Sequence, residues 1–186
     1  LGFGILFQGM FAMEAAIEPL QHSEAFGNFL ITLSNPLFGV VAGAVVTAVI
    51  QSSSASIGIL QALSSTGKVT YSIAFPIIMG QNIGTCITSL LASIGTSKNA
   101  RRTAMVHLYF NVIGTVLFLI GTYAIQYTIG FSFWEMPIDR GGIANFHTFF
   151  NVVVTLVFIP FTRLLEKLAC MTIRDKNETD SQPVNE

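Results

Sequence analysis

Between residues 25 and 97 the chain carries a single formal charge, Lys68. A stretch of that length with almost no Asp, Glu, Lys or Arg has no means of covering a water-facing surface, so membrane lipid is its expected solvent. Composition agrees. Of 186 residues, 52% are hydrophobic and 10% charged, where a soluble domain carries about a quarter charged. Nine Lys plus Arg against ten Asp plus Glu leave a formal net charge of -1. Without a basic surface or a polybasic run, no nucleic-acid partner is expected. Cys86 and Cys170 stand far apart in apolar sequence with no metal or redox spacing and read as buried, reduced thiols.

Charge returns in discrete groups: Lys98, Arg101 and Arg102, then Glu135, Asp139 and Arg140, then Arg163, Glu166, Lys167, Arg174 and Lys176. Between them, residues 103–128 and 143–162 are each long and apolar enough to span a bilayer, which takes about 20 residues of helix. The two basic groups are then separated by an even number of crossings and lie on one side. The positive-inside rule makes that side cytoplasmic, which places residues 98–102 and 163–186 inside a plasma (inner) membrane crossed several times. The intervening loop is external, and the ring of Trp134 suits the headgroup layer. Two segments follow, a transmembrane unit over 1–172 and a polar cytoplasmic tail over 173–186. The sequon at Asn177 falls in that tail and is not expected to be used. The chain starts at Leu1 with no basic region or cleavage pattern before its apolar run, as a fragment would.

The first 97 residues are less regular. Residues 1–20 read as one spanning helix that finishes at Pro19. Ser23 is an N-cap candidate for a short helix with the apolar stripe Phe26, Phe29, Leu30 and Leu33, and Asn35-Pro36 breaks it. Residues 37–50 are apolar, with Gly39 and Gly43 at a spacing that lets a neighbouring helix approach closely. They run into Gln51-Ser52-Ser53-Ser54-Ala55-Ser56, where hydroxyls compete for backbone hydrogen bonds and favour an unwound point. The next apolar segment is interrupted in the same way by Gly80-Gln81-Asn82-Ile83-Gly84-Thr85. The expected fold class is therefore an all-α integral membrane protein, a helical bundle with two broken helices, re-entrant or discontinuous.

Paired interruptions at membrane depth point to a transporter binding site. The N-terminus of a half-helix offers free N–H groups to an anion, and hydroxyl and amide groups add donors. Unwound carbonyls and the same oxygens ligate a hard cation such as Na⁺. Neither element contains Arg or Lys, so an anion there depends on neutral donors and a co-bound cation. Thr47, one helical turn before the first break, adds a hydroxyl to the cation site. Later, His107 and Asn111, and again His147 and Asn151, share the pattern H-x-x-F-N-V on one helical face. These four are expected to be structural polar residues, with the imidazoles bonded to loop carbonyls. A hydrolase using one of Ser52, Ser53 or Ser54 with His107 lacks an orienting acid in the spans, so the chain is not expected to be an enzyme. A non-transporting membrane sensor or assembly module is the alternative class.

Taken together, Gln51-Ser52-Ser53-Ser54, Gly80-Gln81-Asn82-Ile83-Gly84-Thr85, Arg101-Arg102 with His107 and Asn111, and His147-Thr148-Phe149-Phe150-Asn151 resemble the bacterial branch of the type II sodium–phosphate cotransporter family. The resemblance covers nearly the whole chain, and the QSSS element followed by G-x-NIGT is specific in combination. It implies Na⁺-dependent symport of inorganic phosphate, with Na⁺ as the co-transported ion and no organic cofactor. It also implies one half of an inverted-repeat transporter: the chain carries one QSSS element and resembles the second repeat. The expected partner is then a missing first repeat of the same polypeptide or a second copy. By resemblance Gln51, Ser52, Ser53, Ser54, Asn82, Gly84 and Thr85 bind phosphate. Thr47, Ser52, Ser54, Asn82 and Thr85 hold sodium.

Overall fold

The computed structural model of the chain describes residues 1–174. The rest of the expected tail, including Lys176 and the Asn177 sequon, lies outside the described residues. Among these the chain is helical, with one isolated β-bridge between Thr70 and Pro137. The helices are α1 (Gly2–Ile17), α2 (Glu24–Leu33), α3 (Pro36–Ile50), α4 (Ser53–Ser64), α5 (Tyr71–Ala92), α6 (Lys98–Thr128), α7 (Arg140–Phe158) and α8 (Thr162–Thr172). Short 3₁₀ turns cover Glu18–His22, where Pro19 ends α1, and Ile159–Phe161.

Side-chain caps set several helix starts. Ser23 Oγ accepts from the Phe26 N–H at 3.2 Å, and Asn35 Oδ1 from the Leu37 N–H at 3.0 Å with Pro36 opening α3. Ser97 caps α6 and Asp139 caps α7 in the same way. The Asn35-Pro36 break bends α3 away from α2 by 106°.

Three helical stretches among the described residues are long and apolar enough to cross a membrane: α5, α6, and α7 continued through α8. The 16-residue α1 is not among them, because the turn at Pro19 stops it short of the roughly 20 residues a span needs. Of the apolar window in α5, 56% is buried, against 22% in α6 and in α7. α5 is thus the central helix, while α6 and α7 keep apolar faces such as Val116, Leu117, Ile120, Phe149, Val152 and Leu156 exposed for lipid.

The register of contacts gives the topology. Along α3, Gly39 lies against Pro76, Gly43 against Ile77, and Thr47 against Gly84, so α3 and α5 run parallel. α4 then returns: Ser56 lies beside Thr47 and Gln81, and Gln61 Nε2 donates to the Arg140 carbonyl at 3.1 Å, near the start of α7. The pair α3–α4 is a re-entrant hairpin that enters and leaves at the end of the bundle where α5 begins. Fifteen residues make α3 about 22 Å long, short of the roughly 30 Å hydrocarbon core. α6 runs antiparallel to α5, with Thr115 Oγ1 donating to the Met79 carbonyl at 3.2 Å.

Trp134 departs from its expected place in the headgroup layer. It is 8% exposed and packs in an aromatic cluster with Phe75, Tyr123 and Phe131 at centroid distances of 5.4–5.8 Å. The loop folds inward because the Thr70–Pro137 bridge and the bond from the Tyr71 N–H to the Met136 carbonyl, at 3.1 Å, pin it to the start of α5. Both cysteines are free. Cys86 is buried, and Cys170 is only half-buried.

Candidate functional site: the tip of the re-entrant hairpin

The hairpin turns at Gln51. Its N–H donates to the Thr47 carbonyl at 2.7 Å, completing α3, and its backbone then adopts the left-handed conformation (φ 57°, ψ 24°). Gln51 is the one non-glycine residue with positive φ among the described residues. Ser52 is extended, and its Oγ accepts from the Ala55 N–H at 3.3 Å, so it serves as the N-cap of α4. The Ser56 N–H donates to the Ser52 carbonyl at 3.0 Å. The amides of Ser53 and Ser54 precede the first intrahelical bond of α4 and have no helix carbonyl to reach. Ser52 and Ser53 are half-buried, and Gln51 and Ser54 exposed. The tip therefore offers a helix N-terminus with hydroxyl and amide side chains, an arrangement suited to an anion without any cationic residue.

Behind the tip lies a buried polar node. Thr47 is fully buried, and its Oγ1 donates to Ser56 Oγ at 2.7 Å. Gln81 reaches the same hydroxyl from α5, Nε2 donating to Ser56 Oγ at 2.9 Å and to the Ser56 carbonyl at 3.1 Å. Ser56 and Gln81 lay within the polar runs read from sequence but outside the expected site. A usable signal for Ser56 was the spacing Ser56, Leu60, Ser64, the buried stripe of α4.

The second expected break is absent: α5 is continuous from Tyr71 to Ala92. Two of its polar residues bond backwards along their own helix. Asn82 Nδ2 donates to the Ile78 carbonyl at 3.1 Å and Thr85 Oγ1 to the Gln81 carbonyl at 2.9 Å, so they do not compete for the N–H groups that close the helix. The glycines serve close packing instead of unwinding. A Cβ on Gly80 would collide with the Val40 carbonyl, and one on Gly43 with the Ile77 carbonyl, so α3 and α5 touch backbone to backbone.

Of the expected wall residues, Gly84 faces Ala44 and Thr47 on the hairpin side. Thr85 is half-buried, one turn beyond Gln81. Asn82 is buried, and its spacing puts it on the face of α5 that carries Cys86, whose Sγ approaches the His107 carbonyl at 3.6 Å. That face looks toward α6. Asn111 Nδ2 donates to the His107 carbonyl at 2.9 Å, and Asn151 Nδ2 to the His147 carbonyl at 2.8 Å. The ring of His107 pairs through Nδ1 with Ser89 Oγ of α5 at 3.0 Å. The expected loop carbonyl is not its partner, because His107 sits well inside α6 opposite that hydroxyl.

Comparison with known proteins places this geometry in a family. The model of the Na+/Pi-cotransporter family matches residues 2–139. The chain is 34% identical over 177 residues to "Uncharacterized protein YqeW" of Bacillus subtilis, covering 95% of this chain and 57% of that protein. It is 23% identical over 184 residues to "Putative inorganic phosphate export protein YjbB" of Escherichia coli, covering 98% of this chain and 33% of that one. It is 41% identical over 145 residues to sodium-dependent phosphate transport protein 2A of Mus musculus, covering 73% of this chain and 22% of that one. The chain thus spans between a third and just over half the length of these bacterial relatives. No solved structure matches it. The match over most of the chain means that it belongs to the Na+/Pi-cotransporter family.

Proposed function

We propose that the chain is one repeat of a transporter that moves inorganic phosphate together with sodium, by alternating access around the tip of the α3–α4 hairpin. The observation that carries this reading is the tip itself: a capped helix N-terminus at Ser52, in the left-handed turn of Gln51, with no Lys or Arg in the element. In this reading the amides of Ser53 and Ser54 and the side chains of Gln51, Ser52, Ser53 and Ser54 receive the phosphate oxygens. Gly84 and Thr85 form the adjoining wall, with Asn82 two positions before Gly84 on the same turn of α5. Sodium takes oxygens from Thr47, Ser52, Ser54, Asn82 and Thr85, and its charge offsets that of the anion.

The 57% of the Bacillus subtilis relative's length that the chain covers fits one repeat of two. The second is a companion in the same polypeptide or another copy, packed against the exposed side of the tip. The basic end of the bundle, with Lys98, Arg101, Arg102 and Arg163, faces the cytoplasm of the plasma membrane. The mouse relative's name carries sodium dependence and the Escherichia coli relative's name carries export. Coupling to sodium as symport is the function proposed for this chain.

The test is transport by the full-length protein in proteoliposomes. Labelled phosphate should enter only with an inward Na⁺ gradient, and Gln51→Ala or Ser53→Ala should reduce the initial rate at least about 10-fold, the loss of one charge-assisted contact or more. Flux indifferent to both substitutions removes these residues from the site. Protein that shows neither flux nor Na⁺-dependent phosphate binding is instead a membrane sensor or assembly module, in which the polar elements only pack helices.

A further inference from the structure

We propose that Gln81, acting through Ser56, is a positioning residue that holds the hairpin break in shape; the inference rests on the reading of that break as the phosphate site. Three helices meet on one hydroxyl. Ser56 Oγ of α4 accepts from Thr47 Oγ1 of α3 at 2.7 Å and from Gln81 Nε2 of α5 at 2.9 Å. Thr47, Ser56 and Gln81 are 0%, 1% and 3% exposed.

The node grips both residues of the turn through the backbone. The carbonyl of Thr47 takes the Gln51 N–H at 2.7 Å, and the N–H of Ser56 donates to the Ser52 carbonyl at 3.0 Å. Between these two bonds Gln51 holds a left-handed backbone that costs an L-residue energy, so the surroundings must enforce it. A strut from α5 to the first turn of α4 does so from behind. Gln81 is a poor choice for packing alone, because its Oε1 is buried with no hydrogen-bond partner among the described residues and a half-satisfied amide is unfavourable in the interior. What it contributes is the donor arm on Ser56. That arm sets where the Ser53 and Ser54 amides point without touching the anion.

The test uses Gln81→Met, close in shape but without the donor, Ser56→Ala, and the double variant, in the full-length protein. In proteoliposomes each single variant should raise the phosphate KM about 10-fold with kcat within about twofold. The double variant should be no worse than either, since both cut the same strut. Hydrogen exchange, which needs no transport, should show the segment 47–58 exchanging about 10-fold faster in each variant while α6 and α7 are unchanged. The proposal fails if KM stays within twofold of wild type in both single variants, if their effects multiply, or if exchange rises equally throughout the bundle. Should Gln81→Met not fold, Ser56→Ala, which removes one oxygen, carries the same measurements. A wild-type protein that moves no phosphate defeats the transport reading, and hydrogen exchange still decides the strut.

Discussion

Two stretches of this chain interrupt apolar sequence with hydroxyls, amides and small residues, and only one of them breaks a helix. At Gln51-Ser52-Ser53-Ser54 the Ser52 hydroxyl bonds forward, accepting from the Ala55 N–H, and a new helix begins. At Gly80-Gln81-Asn82-Ile83-Gly84-Thr85 the side chains of Asn82 and Thr85 bond backward to carbonyls one turn earlier, and α5 continues. The same residue types thus act as a cap or as a passenger depending on which backbone group they engage. Neighbours decide the choice. α5 is clasped by α3 at Gly80 and Gly84, where unwinding would lose a backbone-to-backbone contact, whereas the exposed hairpin tip leaves room for a turn.

The largest effect expected from disturbing this contrast is at the clasp. In Gly80→Ala the new Cβ meets the Val40 carbonyl, a backbone atom that has nowhere to move, and stability in detergent should fall by about 3 kcal/mol, the upper end for overpacking. Gly9→Ala, in α1 with open space around it, is the matched control. Equal melting temperatures for the two would mean that α3 and α5 are not in backbone contact.

A smaller loss is expected from the cap. Ser52→Ala removes the acceptor for the Ala55 N–H and should cost about 1 kcal/mol, while Ser52→Asp keeps it. Chemical denaturation of the three proteins separates them, and an alanine variant as stable as the aspartate one would deny Ser52 its capping role. The smallest change concerns the turn. Gln51→Gly relieves the left-handed backbone and should stabilise the protein by up to about 1 kcal/mol, yet weaken phosphate binding measured by calorimetry because the amide is gone. A destabilised glycine variant would show that the Gln51 side chain holds the turn.

The charge gap from residue 25 to 97, the cap at Ser23, the break at Asn35-Pro36, the long spans before and after Trp134 and the break at Gln51 were all legible from residue order. Each depends on local chemistry or on the period of apolar residues, which neighbours in sequence determine. The continuity of α5 was not legible, because it depends on the α3 backbone lying against Gly80. Nor was the role of Ser56 and Gln81, which stand 25 positions apart and meet only once α4 has folded back. Trp134 belongs with them: its place in an aromatic cluster follows from a bridge between Thr70 and Pro137 that no local pattern announces.

By itself, then, the sequence determined the solvent, the family and the point at which the chain turns, since a missing charge and a run of hydroxyls act on the nearest backbone wherever the rest goes. Only the tertiary structure decided that the turn is a re-entrant hairpin and that one polar interruption stays helical. Which helix faces a hydroxyl, and which glycine admits a neighbour, are settled by packing between segments that residue order does not place side by side.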